Sequence, residues 1–131
     1  MKSSSDDAIS LVNQASSSIS GKEGDMFKKN TYITKGIQGR LSVEIIALLW
    51  DKVQSVDDNK RKLDYLQVFS LRNAGPYDNP VIEVKWRQEQ PRHFEKFYIR
   101  GLTTDVDKVW VICSGAGTTE EYSTMLLPEE Y

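Results

Sequence analysis

The chain has 131 residues, 17 Lys and Arg against 19 Asp and Glu, and a hydrophobic fraction of 39%, which describes one ordinary globular domain with a single core. The net charge of −2 excludes strong steering toward DNA or anionic membrane, no apolar run approaches the roughly 20 residues of a bilayer span, and no secretory leader is visible. One cysteine, Cys113, excludes an internal disulfide and suits a reducing cytoplasm, the expected location.

Residues 1–25 stand apart, with eight serines and no aromatic. They read as a Ser-rich tail, although Ala8, Leu11, Val12, Ala15 and Ile19 fall at the spacing of a short helix. The codons of Lys22-Glu23-Gly24-Asp25-Met26 also suit a ribosome-binding site ahead of a start codon. On that reading the natural protein begins at Met26, and residues 26–131 form the single folded domain.

Thr31 to Ile37 predicts a first strand, with Gly36 marking a bulge. Gly39 opens a turn into one amphipathic helix. Ser42 is its N-cap, Glu44 suits the first turn, and Leu41 can staple onto Ile46. Ile46, Leu49, Trp50 and Val53 make one apolar stripe, expected to pack on a sheet. After a charged loop from Val56 to Lys62, three strands follow: Leu63 to Arg72, Val81 to Gln90 and Phe94 to Ile99. The first alternates Leu63, Tyr65, Gln67, Phe69 and Leu71 on one face. Gln90-Pro91-Arg92-His93 reads as a tight turn. Lys108 to Cys113 reads as a central strand and Ser123 to Leu127 as a last short one, stopped by Pro128. The predicted fold is α+β: a mainly antiparallel sheet of five to six strands, in the order β-α-β-β-β-β-β, with one helix on one face and the other face partly wet.

No constellation dictates a chemistry. His93 is the only histidine and Cys113 the only thiol, so an enzyme would need the two to meet in a cleft. No spacing suits a metal site or a cofactor. Gly115-Ala116-Gly117-Thr118-Thr119 lacks the lysine and the following helix of a phosphate loop and reads as a hairpin loop. Glu120-Glu121 and Glu129-Glu130 read as solvated charge rather than an acid/base pair. The one suggestive pattern is outward-facing: Lys85, Arg87, Lys96, Tyr98 and Arg100 form a basic patch with one aromatic, interrupted by Glu83 and Glu89. Charge is also polarised, net +5 over residues 26–100 and net −5 over 101–131.

Several stretches together resemble a family of small bacterial proteins of unassigned function, mostly from Gram-positive bacteria and their phages and plasmids. They are Tyr32-Ile33-Thr34-Lys35-Gly36-Ile37, Leu49-Trp50, Asp64-Tyr65-Leu66-Gln67-Val68-Phe69, Gln88-Glu89-Gln90-Pro91 and the closing Ser123-Thr124-Met125-Leu126-Leu127-Pro128-Glu129-Glu130-Tyr131. The resemblance spans residues 27–131 and implies a cytoplasmic or mobile-element accessory role, without catalytic residues to carry over. It also implies an Asp- and His-bearing loop before the closing motif, where this chain has Gly115 to Tyr122 and no histidine. The leading expectation is a non-enzymatic accessory protein that binds another protein. Single-stranded nucleic-acid binding by the outer sheet face is the alternative, and an enzyme using His93 or Cys113 the least favoured.

Overall fold

The structure, a computed structural model, describes residues 8–10, 26–56 and 62–131. Its centre is a seven-stranded sheet in the order β1-β2-β7-β6-β3-β4-β5. The strands are β1 (Ala8–Ser10), β2 (Thr31–Thr34), β3 (Leu66–Asn73), β4 (Val81–Glu89), β5 (Arg92–Arg100), β6 (Lys108–Ser114) and β7 (Tyr122–Leu126). Two helices, α1 (Lys35–Arg40) and α2 (Val43–Gln54), follow β2, and a 3-10 turn over Pro128–Glu130 follows β7.

The α+β class and the β3–β4–β5 meander match expectation, but the sheet is mixed. β2 runs parallel to β7, with Ile33 opposite Met125, whereas every other neighbouring pair is antiparallel. A second correction concerns Lys35 to Ile37, expected in a strand. They open α1 instead, because the Thr34 hydroxyl accepts from the Ile37 N–H and caps the helix. Gly36 therefore sits in a first helical turn, not a bulge, and the described residues hold two helices rather than one. The reading of residues 1–25 as a tail or helix meets strand at Ala8–Ser10; the rest of that segment, and the charged loop at 57–61, lie outside the described residues.

α2 forms as its sequence dictates. Ser42 Oγ accepts from the Ile45 N–H, Glu44 lies in the first turn and Lys52 in the last. Ile45, Ile46, Leu49, Trp50 and Val53 are buried in one core with Phe69, Leu71, Val84, Trp86, Val109 and Val111 from the sheet. Near β5, the Lys52 ammonium lies 3.5 Å from Glu95 and 4.4 Å from the centre of the Phe97 ring. The helix thus lies over the sheet face that carries odd-numbered residues of β5. Even-numbered residues of β5 lie on the opposite, outer face.

Candidate binding face

Strand pairing decides which side chains share the outer face. Across β4 and β5, Glu83 stands opposite Tyr98, Lys85 opposite Lys96, Arg87 opposite Phe94 and Glu89 opposite Arg92. Directly opposed residues of an antiparallel pair point to the same side. β5 therefore displays Arg92, Phe94, Lys96, Tyr98 and Arg100 in alternation, a cation at every second outward position with a ring between. Successive outward residues are about 6.8 Å apart along a strand.

All five residues singled out in the sequence, Lys85, Arg87, Lys96, Tyr98 and Arg100, lie on these two strands, and the face parity expected for them is the one observed. Phe94, 56% exposed, was missed. The turn was expected to run through His93, whereas β5 already begins at Arg92. The signal was present, since Phe94 shares the parity of Lys96 and Tyr98. A second ring, Trp110, was assigned to a fully buried central strand but is only half-buried on the outer side of β6.

Glu83 interrupts the positive charge less than its sequence position suggests. Its Oε1 accepts two hydrogen bonds from the Arg72 guanidinium, at 3.0 and 2.8 Å, and its Oε2 lies 3.6 Å from the Lys96 ammonium. The Arg72 hydrogen bonds lower the Glu83 pKa, against the opposing effect of burial, with Arg72, Lys96 and Lys85 charges adding to the lowering. Among the described residues, Lys85, Arg87, Arg92 and Arg100 make no ion pair. Like-charged Lys85 and Lys96, directly opposed, raise the potential of the centre of the face.

At the β7 end the same face holds a groove of about 390 Å³, floored by Ile112 and Leu126 and flanked by Tyr122 and Tyr131. The Tyr131 ring leans edge-on against Trp110, 5.6 Å between centroids. The Glu130 carboxylate borders it too but is engaged: it accepts from the Thr34 hydroxyl at 2.6 Å, the Leu127 N–H at 2.8 Å and the Gly36 N–H at 3.0 Å. Glu130 is thus a clamp between the C-terminal turn and α1, not the solvated charge expected of it. Glu121 is likewise corrected, being 3% exposed and accepting from the Gly117 N–H at 3.0 Å.

His93 and Cys113 do not meet. His93 lies on edge strand β5 and Cys113 on β6, with β4 and β3 between them, about 14 Å at the usual strand spacing. Cys113 is buried and its pKa is raised, first by burial and then by the nearby Glu121 carboxylate. Among the described residues no group of three or more His, Cys, Asp or Glu gathers as a metal site, and no helix is long and apolar enough to cross a membrane. Gly115 to Glu121 forms the connection between β6 and β7, with Gly115 and Gly117 at positive φ.

The stretches that carry the resemblance converge on two polar clusters. In one, Gln67 Oε1 accepts from the Trp86 indole N–H at 2.6 Å, and Gln67 Nε2 donates to the Asp64 carbonyl at 2.8 Å and to Gln88 Oε1 at 2.9 Å. Gln88 Nε2 donates to the carbonyls of Lys62 and Pro91, at 2.9 and 2.7 Å. The Asp64 carboxylate accepts from the backbone N–H groups of Tyr65, Glu89 and Gln90. In the other, Thr34, Gly36 and Glu130 lock together as described.

The chain is thus a small α+β protein with a mixed sheet. The family described as "Staphylococcal protein of unknown function (DUF960)" matches residues 30–130. The chain belongs to that family. Among solved structures it is similar to "Crystal structure of the protein of unknown function from Enterococcus faecalis", with a TM-score of 0.58 and 19% identity over 77% of this chain and 89% of that one, a likeness of fold. A search of curated proteins finds no match.

Proposed function

We propose that the protein acts by binding rather than catalysis, and that its outer face takes single-stranded nucleic acid. The observation that carries this reading is the alternation on β5, Arg92-Phe94-Lys96-Tyr98-Arg100, with Lys85 and Arg87 beside it on β4. Single strands are held by cations that follow the phosphates and rings on which bases stack, a combination indifferent to sequence. The overall negative charge does not oppose this, because residues 26–100, which hold β4 and β5, carry net +5, and net −5 falls after position 100. Such a role suits a cytoplasmic accessory protein of phage or mobile-element origin.

The test is fluorescence anisotropy with a labelled oligothymidylate of about 16 nucleotides, the upper end of a single-domain footprint. If about three phosphates are neutralised, the logarithm of the binding constant falls with that of salt concentration at a slope near −2. Phe94→Ala weakens binding by about 1–3 kcal/mol, and Lys85→Glu with Arg87→Glu abolishes it. No binding by the wild-type protein at low salt overturns the reading.

A second reading keeps a protein as the partner, supported by a different feature. β5 is an edge strand of nine residues, and an exposed edge can accept an extended segment as one more strand. The cations of β5 suit an acidic segment. A pull-down from native cells that returns no specific protein counts against it.

A further inference from the structure

The strand registers link the basic patch to the groove. Phe94, Arg87, Val68, Trp110 and Leu126 are successive partners across β5, β4, β3, β6 and β7, and form one row over the outer face. Beside it, Lys96, Lys85, Ser70 and Lys108 form a second row. The first row offers rings and apolar surface around one guanidinium, Arg87, and the second offers amines. Bases and phosphates of a single strand are separated in the same way. Leu126, which ends the first row, is also the floor of the groove.

We propose that this groove receives one nucleobase of a strand that crosses the sheet along the row from Phe94 to Trp110; this rests on the nucleic-acid reading above. Three features choose a base over a phosphate. The floor is apolar, from Ile112 and Leu126. The flanking Tyr122 and Tyr131 are 40% and 79% exposed and present ring surface, and Tyr131 touches Trp110, which makes the aromatic wall continuous with the row. The Glu130 carboxylate at the margin repels a phosphate, while Lys108 at the end of the amine row attracts one. The hydroxyls of Ser114 and Thr124 line the groove, and each can both donate and accept, which suits the edge of any base. The volume, about 390 Å³, lies within the roughly 300–1,000 Å³ of small-ligand sites. Four strand steps from β5 to β7 span about 19 Å, the length of roughly three to six nucleotides.

The experiment measures affinity for oligothymidylates of increasing length. The wild-type protein shows a step in affinity once the strand is long enough to reach the groove, at about five nucleotides. Ser114→Trp, which fills the groove, and Tyr122→Ala, which removes a wall, each reduce that step by at least about fivefold, the lower end of stacking on one ring. Both leave the salt slope unchanged, because the amine row is intact. Phe94→Ala, by contrast, weakens binding at every length. A wild-type protein that binds without a step, or variants that keep the full step, overturn the groove assignment and leave the nucleic-acid reading standing. A wild-type protein that binds no oligonucleotide overturns both.

Discussion

Gln67 is fully buried, and its amide joins β3 to β4 and to Asp64 ahead of β3, so replacing it by leucine tests what the Asp64–Phe69 stretch is for. Leucine keeps the approximate volume and removes every hydrogen bond. The Trp86 indole N–H loses a partner at 2.6 Å and the Asp64 carbonyl one at 2.8 Å, while Gln88 Oε1 keeps the Asp64 N–H at 3.2 Å. Each buried group deprived of its partner costs about 1–3 kcal/mol. Relief from desolvating an amide returns about 1 kcal/mol. The expected net loss is about 1–5 kcal/mol, a large share of the ~5–15 kcal/mol that holds a domain together. Urea unfolding followed by tryptophan fluorescence reads it as a lower midpoint with an unchanged slope. A loss below about 0.5 kcal/mol, the usual effect of a surface change, would refute the claim that this network anchors the Lys62–Tyr65 segment to the β4–β5 turn.

Gly36→Ala places a methyl group against the Glu130 carboxylate; it should destabilise the protein, and less so in a Glu130→Ala background, a non-additivity that a double-mutant cycle in urea resolves. The lowered pKa of Glu83 means that its pairing contributes stability above its ordinary value of 4.5 and loses it as pH falls through the lowered folded value. Melting temperatures of Glu83→Gln should accordingly lie below wild type at neutral pH and converge with it in acid; a constant gap refutes the assignment. Cys113, buried and with a raised pKa, should resist alkylation at pH 7 in the folded protein and label fully in urea; rapid native labelling would contradict its placement.

Local pattern made much of the fold legible. Alternation placed Phe69, Leu71, Val84 and Trp86 inward, and the Ser42 cap with the Ile46–Val53 stripe defined α2. Several of the failures depend on residues distant in the chain. Thr31 to Ile37 has strand-like composition, yet the Gly36 N–H finds its acceptor in Glu130, 94 positions away, and helix replaces strand. The parallel pairing of β2 with β7 leaves no mark on either segment. Likewise the run Val109 to Cys113 looks uniformly apolar, and only the registers reveal that Trp110 and Ile112 turn outward. The patch was legible because parity along β4 and β5 suffices to put Lys85, Arg87, Lys96, Tyr98 and Arg100 on one side. The row that joins it to the groove needs four registers at once, which no single strand encodes.

The polar atoms of the stretches that carry the family resemblance are largely spent on the fold itself. Both oxygens of Asp64, both ends of the Gln67 and Gln88 amides, and both oxygens of Glu130 have protein partners, so little of their bonding capacity remains for a ligand. These polar groups therefore serve the scaffold, whereas Thr124, Leu126 and Tyr131 of the closing stretch line the groove. The outer cations of β4 and β5 lie outside these stretches. The Gly115–Glu121 connection is another place to look, since it joins Ser114 to Tyr122, and both line the groove. A member of the family with different side chains in that connection would present them at the mouth of the same groove, over the same floor. Substitutions there would change the mouth of the groove without touching the clamp or the glutamine network that hold the sheet beneath it.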